Sequence, residues 1–213
     1  MAEEFFDLPY EDLYNQPTVS HAAPQGEVVQ KKTTLFSPST NAMIVEVEGF
    51  QLKNDFFVKE LAFVNLLTKE YWVGIFLPPY GRQHMKKKYN QELDWCTKHL
   101  HGLTWEEGLY PYNVAFMMLN HFGATYQLYT KGKQKVDWIR EHTALNVLDL
   151  EDIGCPPAKE LPFASYCEFH NSLHRSCALD KATRLARHLV TMFSLKNPAL
   201  LNTPMRREDE EED

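Results

Sequence analysis

Three hydrophobic runs with strand-like patterning open the regular part of the chain. The first, Ala42 to Leu52, is rich in β-branched residues and alternates through Val45 and Val47. The second covers residues 56–66 and the third covers residues 70–77, with short polar turns between the runs. Strands joined by short turns pair in an antiparallel manner. The pattern therefore predicts an antiparallel meander of three strands.

After the meander, the pattern alternates between helix-like and strand-like segments. A basic segment from residue 82 leads into a helix-like stretch that ends near Leu100. Pro111 opens the next helix, for which the spacing predicts a buried stripe and a stop at Gly123. That stripe consists of Val114, Met117 and Met118. The remaining predicted elements are a strand at 126–129, a helix at 135–142, a strand at 146–150 and a helix at 178–193. A meander followed by βαβα predicts an α/β fold, with a mixed sheet flanked by helices.

The two ends of the chain have no sustained hydrophobic periodicity. Residues 1–40 predict a flexible arm, and residues 196–213 predict a disordered acidic tail, which leaves one domain at 41–195. Within the arm, the segment 3–14 mixes acidic and aromatic residues. This segment is either an inert tail or a motif that binds a protein partner.

The net charge of −7 comes mainly from the tail, because the last six residues are all acidic. Without them the chain has 22 Lys and Arg against 23 Asp and Glu, so a local basic patch is compatible with its composition. Four scattered cysteines do not make a disulfide scaffold. The sequence shows no signal-peptide core and no apolar run near eighteen residues. We expect a reduced intracellular compartment, nucleus or cytoplasm, and no membrane contact.

One short segment has metal-ligand spacing. Cys167 and His170 are three residues apart, and Cys177 follows seven residues later. Thiolate and imidazole are the ligands that zinc prefers, and three ligands from one segment require a fourth from elsewhere. The alternative is that the two cysteines are buried for packing alone.

The element order and several acidic positions resemble the ribonuclease H-like fold of DnaQ-type exonucleases. Glu46 and Glu48 match the acidic pair of the first strand, and Asp137 matches the acidic position of the middle motif. The resemblance implies two divalent ions, Mg²⁺ or Mn²⁺, that activate water. However, Ser176 replaces the catalytic histidine and Lys181 replaces the last metal-binding aspartate. These departures argue against a working centre, because a lysine ammonium repels metal ions.

A second resemblance is to the MAEL domain of the Maelstrom proteins, a degenerate member of that fold with a Glu-Cys-His-Cys zinc set. The segment Glu60-Leu-Ala-Phe-Val64 matches its strand signature, and the segment from Cys167 through His170 to Cys177 matches its second signature. The resemblance implies that Glu60, Cys167, His170 and Cys177 bind a structural zinc ion. It also implies single-stranded RNA as a ligand, or a partner in an RNA-silencing-type pathway. Members of the group are associated with RNA cleavage without the usual centre.

Basic residues form three clusters with tyrosines nearby. The candidate nucleic-acid contacts are Lys86, Lys87, Lys88, Lys131, Lys133, Lys135, Arg184 and Arg187. Such clusters are either solvated faces or phosphate contacts with stacking platforms. Three hypotheses follow: a zinc-stabilised, non-hydrolytic RNA-binding domain; a metal-dependent nuclease that uses Glu46, Glu48 and Asp137; and an adaptor that acts through residues 3–14.

Overall fold

A five-stranded mixed sheet forms the centre of the fold. The structure is a computed structural model, and it describes residues 41–53, 55–164, 167–169 and 177–196. The predicted arm at 1–40 and the acidic end of the chain lie outside these residues.

The strands of the sheet are β1 (Ala42–Leu52), β2 (Asp55–Asn65), β3 (Tyr71–Ile75), β4 (Gln127–Thr130) and β5 (Val147–Asp149). Their order across the sheet is β3-β2-β1-β4-β5. The first three strands pair in an antiparallel manner, whereas β4 runs parallel to β1 and β5 runs parallel to β4. The predicted α/β architecture, a three-strand meander extended by two parallel strands, is confirmed.

Helices cover both faces of the sheet. They are α1 (Lys87–Cys96), α2 (Asn113–Thr125), α3 (Lys133–His142) and α4 (Ala178–Lys196), and a π-helical turn at Thr97–His101 extends α1. Helix α4 packs on one face against β1 and β2, while α2 and α3 contribute to the core on the other face. Helix α1 borders a third, aromatic core around Phe50 and Trp105. Within the described part of the chain, every helix is too short or too polar to cross a membrane.

Helix α2 differs from its predicted form in two ways. It continues past Gly123 to Thr125, so the predicted stop is wrong. Gly123 packs closely against Leu145 there, because a Cβ at this position would lie 2.5 Å from a methyl carbon of Leu145, and that side chain would have to shift. The buried residues of α2 are Ala115 and Leu119, whereas Met117 of the predicted stripe is 61% exposed. The helix therefore faces the core along a side shifted from the predicted one.

A β-bulge interrupts the pairing of β1 with β2. Glu48 pairs with Glu60, but the next residue, Gly49, pairs with Val58, so Lys59 has no partner on β1. A Cβ at Gly49 would lie 2.0 Å from the carbonyl oxygen of Phe57, which only glycine avoids. Bulges of this kind redirect side chains near functional sites.

Three glutamates share the sheet face that α4 covers. Glu46 pairs with Ala62, and Glu48 pairs with Glu60 across the strands. Because side chains alternate along a strand, these residues lie on the same face as Ile44, which packs in the α4 core. A carboxylate on such an apolar face is costly unless it has a partner. The partners of these three carboxylates define the chemistry of this face.

Candidate metal centre

Glu60, Cys167 and Cys177 come together beneath the start of α4. One potential ligand atom from each residue lies within 4.8 Å of the other two, and all three side chains are buried. Among the described residues this is the one group of three such donors. His170, the fourth predicted ligand, lies outside the described residues.

The first turn of α4 holds two of these donors through backbone N–H groups. The N–H of Ala178 donates to Glu60 Oε2 at 2.8 Å, and the N–H of Asp180 points to Cys177 Sγ at 3.5 Å. Cys177 itself precedes the helix, and its carbonyl accepts the first helical hydrogen bond, from Lys181. The sulfur thus takes the place of a helix-capping oxygen. The positive end of the helix dipole therefore faces an anionic donor set.

The donor types and one donor–donor distance suit a zinc ion. A tetrahedral zinc ion with bonds of about 2.0 to 2.3 Å places its donor atoms about 3.3 to 3.8 Å apart. Cys177 Sγ lies 3.5 Å from Glu60 Oε1, and the whole group spans at most 4.8 Å. Two thiolates and one carboxylate leave one position of a closed tetrahedron for a fourth protein ligand. A centre of this composition links β2, residues 167–169 and α4.

Asp180 and Arg184 attach the segment before Cys167 to α4. Asp180 Oδ1 accepts from the N–H of Ala164 at 3.1 Å, and Arg184 donates to the carbonyls of Ala158 and Leu161. The two side chains also pair with each other at 2.7 Å. Arg184, a predicted nucleic-acid contact, is therefore engaged within the fold. The arrangement fixes the chain shortly before it reaches the candidate centre.

Lysines neutralise the other two glutamates of this face. Lys135 of α3 pairs with Glu46, and Lys181 of α4 pairs with Glu48. Glu46 also accepts from Thr130 Oγ1 at 3.3 Å and from the N–H of Lys131 at 3.2 Å. Burial alone would lower the pKa of Lys135, but the Glu46 and Glu48 carboxylates beside it raise that pKa above its ordinary value. Lys135 therefore remains an ammonium ion against the acidic pair.

Asp137, the third predicted acidic residue, has a different partner. Its carboxylate pairs with Lys133, four residues earlier on α3, at 2.5 Å, and 42% of its side chain is exposed. In the part of the chain that the structure describes, Asp137 forms no donor group with Glu46 and Glu48 like that of Glu60. The three predicted catalytic acids are thus each paired with a lysine.

Comparison with models of known protein families gives no match for this chain, and no curated protein matches it significantly.

The predicted nucleic-acid contacts fall into two groups. Lys131 and Lys135 pair with Glu151 and Glu46, so they are engaged within the fold, as Arg184 is. The exposed basic residues of the prediction are Lys86, Lys87, Lys88, Lys133 and Arg187. Lys69, which the sequence did not single out, lies close enough to Arg187 to be affected by it. Burial lowers the pKa of Lys69, and the Arg187 guanidinium lowers it further.

Lys59 is a second residue that the sequence pattern missed. The bulge directs it into the protein, where its ammonium donates to the carbonyls of Phe76 (2.8 Å), Trp105 (2.6 Å) and Glu107. The side chain is 1% exposed. Burial lowers the pKa of Lys59 to about 8, and the nearby carboxylates of Glu107 and Glu106 oppose that shift. No local sequence pattern predicts this site, because its hydrogen-bond acceptors are backbone carbonyls distant in the sequence.

The lowered pKa of Lys59 predicts a pH-dependent stability. Between about pH 8 and 10.5 the unfolded chain binds more protons at this residue, so the free energy of unfolding rises with pH in that window. Relative to Lys59→Met, we expect the wild type to gain about 2 kcal/mol between pH 7.5 and 9.5. Urea denaturation of both proteins at several pH values measures the difference. A constant or falling difference would contradict the lowered pKa.

Proposed function

We propose that this chain is a zinc-stabilised, ribonuclease H-like domain that binds single-stranded nucleic acid, preferably RNA, and does not hydrolyse it. The buried group of Glu60, Cys167 and Cys177 carries this proposal. These are three of the four zinc ligands that the Maelstrom resemblance implies. Glu60 lies far from the two cysteines in the sequence, and the fold brings it to them. A nuclear or cytoplasmic role in an RNA-silencing-type pathway follows from the same resemblance.

The sheet topology supports the ribonuclease H-like part of the proposal. That fold implies an antiparallel meander followed by βαβα, and the five strands have this arrangement. The acidic pair Glu46 and Glu48 lies on the first, central strand, as the resemblance to DnaQ-type exonucleases implies.

The charge balance supports zinc at Glu60, Cys167 and Cys177. With a neutral histidine as fourth ligand, a Zn²⁺ ion, two thiolates and a carboxylate carry a net charge of −1. The N–H groups of Ala178 and Asp180 point to this set, and they stabilise the excess negative charge. Bound zinc would supply structural cross-linking rather than catalysis, because four protein ligands leave no position for water.

The lysines on the acidic pair support the absence of hydrolysis. Two-metal nucleases hold their ions between carboxylates. Here the ammonium groups of Lys135 and Lys181 already pair with Glu46 and Glu48. A divalent ion would have to displace both of these cations or bind against their repulsion. The acidic pair therefore acts as an electrostatic link between β1 and the helices α3 and α4.

Helix α1 provides the best surface for a single strand. Lys86, Lys87 and Lys88 are exposed at its beginning, and its first turn has no acidic residue, so the helix dipole adds to their positive charge. Trp95 is 55% exposed and lies seven residues, about two turns, after Lys88. Lys88 and this indole thus lie on one side of the helix, and Lys87 lies about 80° from it. Such a combination suits phosphates and unpaired bases.

Binding of a labelled, unstructured RNA oligonucleotide tests the proposed function. Lys87→Gln/Lys88→Gln should weaken binding about tenfold at low salt and reduce the slope of log K against log salt by about 1.4. Trp95→Ala should weaken it by about tenfold through lost stacking. Lys53→Gln/Lys159→Gln removes the same charge from two other exposed lysines and should have a much smaller effect. Equal losses in both double variants would indicate non-specific attraction only.

The same oligonucleotide measures hydrolysis. We expect no cleavage above background with Mg²⁺ or Mn²⁺, and no difference between the wild type and Asp137→Ala. Metal-dependent products that Asp137→Ala abolishes would instead establish the nuclease hypothesis.

A further inference from the structure

Glu48 lies directly opposite a proposed metal ligand. The strand register pairs it with Glu60, and opposite residues on one face have Cβ atoms about 4.5 to 5.5 Å apart. Like charges in this position repel each other. The carboxylate of Glu48 therefore acts electrostatically on Glu60 and on any ion that Glu60 binds.

Lys181 provides the counter-charge to the Glu48 carboxylate. It lies one helical turn after Cys177, and its ammonium pairs with Glu48. The side chains of Lys181 and Glu48 are only 26% and 13% exposed, so solvent and salt screen their charges incompletely. Glu48 lies on β1 opposite Glu60, and Lys181 lies on α4, which begins directly after Cys177. The two charges are therefore held next to the donor group.

We propose that the Glu48–Lys181 ion pair sets the metal affinity of the centre at Glu60, Cys167 and Cys177. This inference rests on the metal centre of the proposed function. Neither residue is a ligand. A bound metal ion brings two positive charges, which Glu48 attracts and Lys181 repels. The pair as a whole is nearly neutral, so the native affinity results from two opposed effects that can be separated by substitution.

The two single substitutions should therefore act in opposite directions. Glu48→Gln removes the attraction and leaves the lysine charge uncompensated, which should raise the dissociation constant for zinc about tenfold. Lys181→Met leaves the Glu48 charge without its ion-pair partner and with only Lys135 as a nearby cation, which should lower that constant about tenfold. The double variant Glu48→Gln/Lys181→Met should bind with nearly wild-type affinity, because it restores the charge balance.

The experiment uses the full chain, stripped of metal and titrated with Zn²⁺ against a chromophoric chelator. Co²⁺ titration provides a second readout, because its thiolate charge-transfer absorption reports the ligand set and should be the same in all variants. Asp94→Asn is the matched control. It removes one negative charge from another ion pair, that of Asp94 with Arg82, and Asp94 lies on α1, which borders a different core. Its zinc affinity should stay within about twofold of the wild type.

Opposite shifts that cancel in the double variant would support the inference. A weaker affinity in both single variants would overturn it, because a purely structural pair would give that result. If the wild type and all the variants bind zinc with the same affinity, the inference is also overturned. The proposed metal centre would then still stand. A wild-type protein that binds no zinc would overturn both the inference and the centre.

Discussion

Glu60→Gln and Cys167→Ser are each expected to remove the zinc ion, about one per chain, that the purified wild type carries. Each should also lower the free energy of unfolding by about 3 to 5 kcal/mol, or roughly 10 °C in Tm. The reason is that the centre connects three parts of the fold: β2, residues 167–169 and the start of α4. In Cys167→Ser, the buried Glu60 carboxylate keeps the Ala178 N–H but loses its main counter-charge when the ion is absent. Elemental analysis and thermal unfolding measure the two effects on the same samples.

Cys155→Ser is the control for this experiment. Cys155 is buried in the same core as Cys167 and Cys177 but does not belong to the donor group. Burial raises the pKa of its thiol, as expected for a packing residue. Its substitution should lower stability modestly and leave the zinc content unchanged. Zinc-free wild-type protein, or zinc retained in both ligand variants, would show that the cluster is a packed polar group instead.

Lys59→Met is expected to lower the free energy of unfolding by about 2 to 4 kcal/mol near pH 7, although methionine fills a similar volume. The substitution leaves the carbonyls of Phe76, Trp105 and Glu107 without their shared donor inside the protein. The variant no longer has to bury an ammonium ion, but this gain in stability offsets only part of the loss of the three hydrogen bonds. Tm should fall by roughly 5 to 15 °C.

Lys98→Met provides the comparison for this substitution. Lys98 is exposed on the helical turn that follows α1, and its replacement should change stability by less than about 0.5 kcal/mol. Chemical denaturation of both variants at pH 7 separates the two cases. Equal small changes would mean that the carbonyls around Lys59 find other donors, and the anchoring role would be wrong.

The strands were predictable because local pattern determines them. Alternation and β-branched residues placed β1 and β2 within one residue of their observed limits. The proximity of Glu60 to Cys167 and Cys177 was predictable through the resemblance to the MAEL domain, whose two signatures match the segments that contain these residues. The exposure of Met117 was not predictable, since it depends on how α2 is rotated against the sheet.

The partners of the acidic residues could not be read from the sequence. Glu46 pairs with Lys135 and Glu48 with Lys181, at separations of 89 and 133 residues. In the sequence Lys135 belongs to a basic cluster that is either a solvated face or a phosphate contact, and Lys181 stands at the position of a metal-binding aspartate. Only the packing of α4 on β1 and the position of α3 beside β5 bring them to the carboxylates. A charge cluster in a sequence therefore does not reveal whether it faces solvent or a neighbouring strand.

Because Lys59 has no partner on β1, strand β2 should be unusually tolerant of the loss of this one residue. Val58 lies on the same face as Leu61 and Phe63, as it would in a regular strand with residue 59 absent. A chain that lacked this one residue would keep every other side chain of β2 on its present face. It would lose the contacts of the Lys59 ammonium and the hydrogen bond from the N–H of Phe76 to the Lys59 carbonyl. A deletion in the interior of a sheet, normally among the most disruptive changes, would here be confined to the contacts of residue 59 itself.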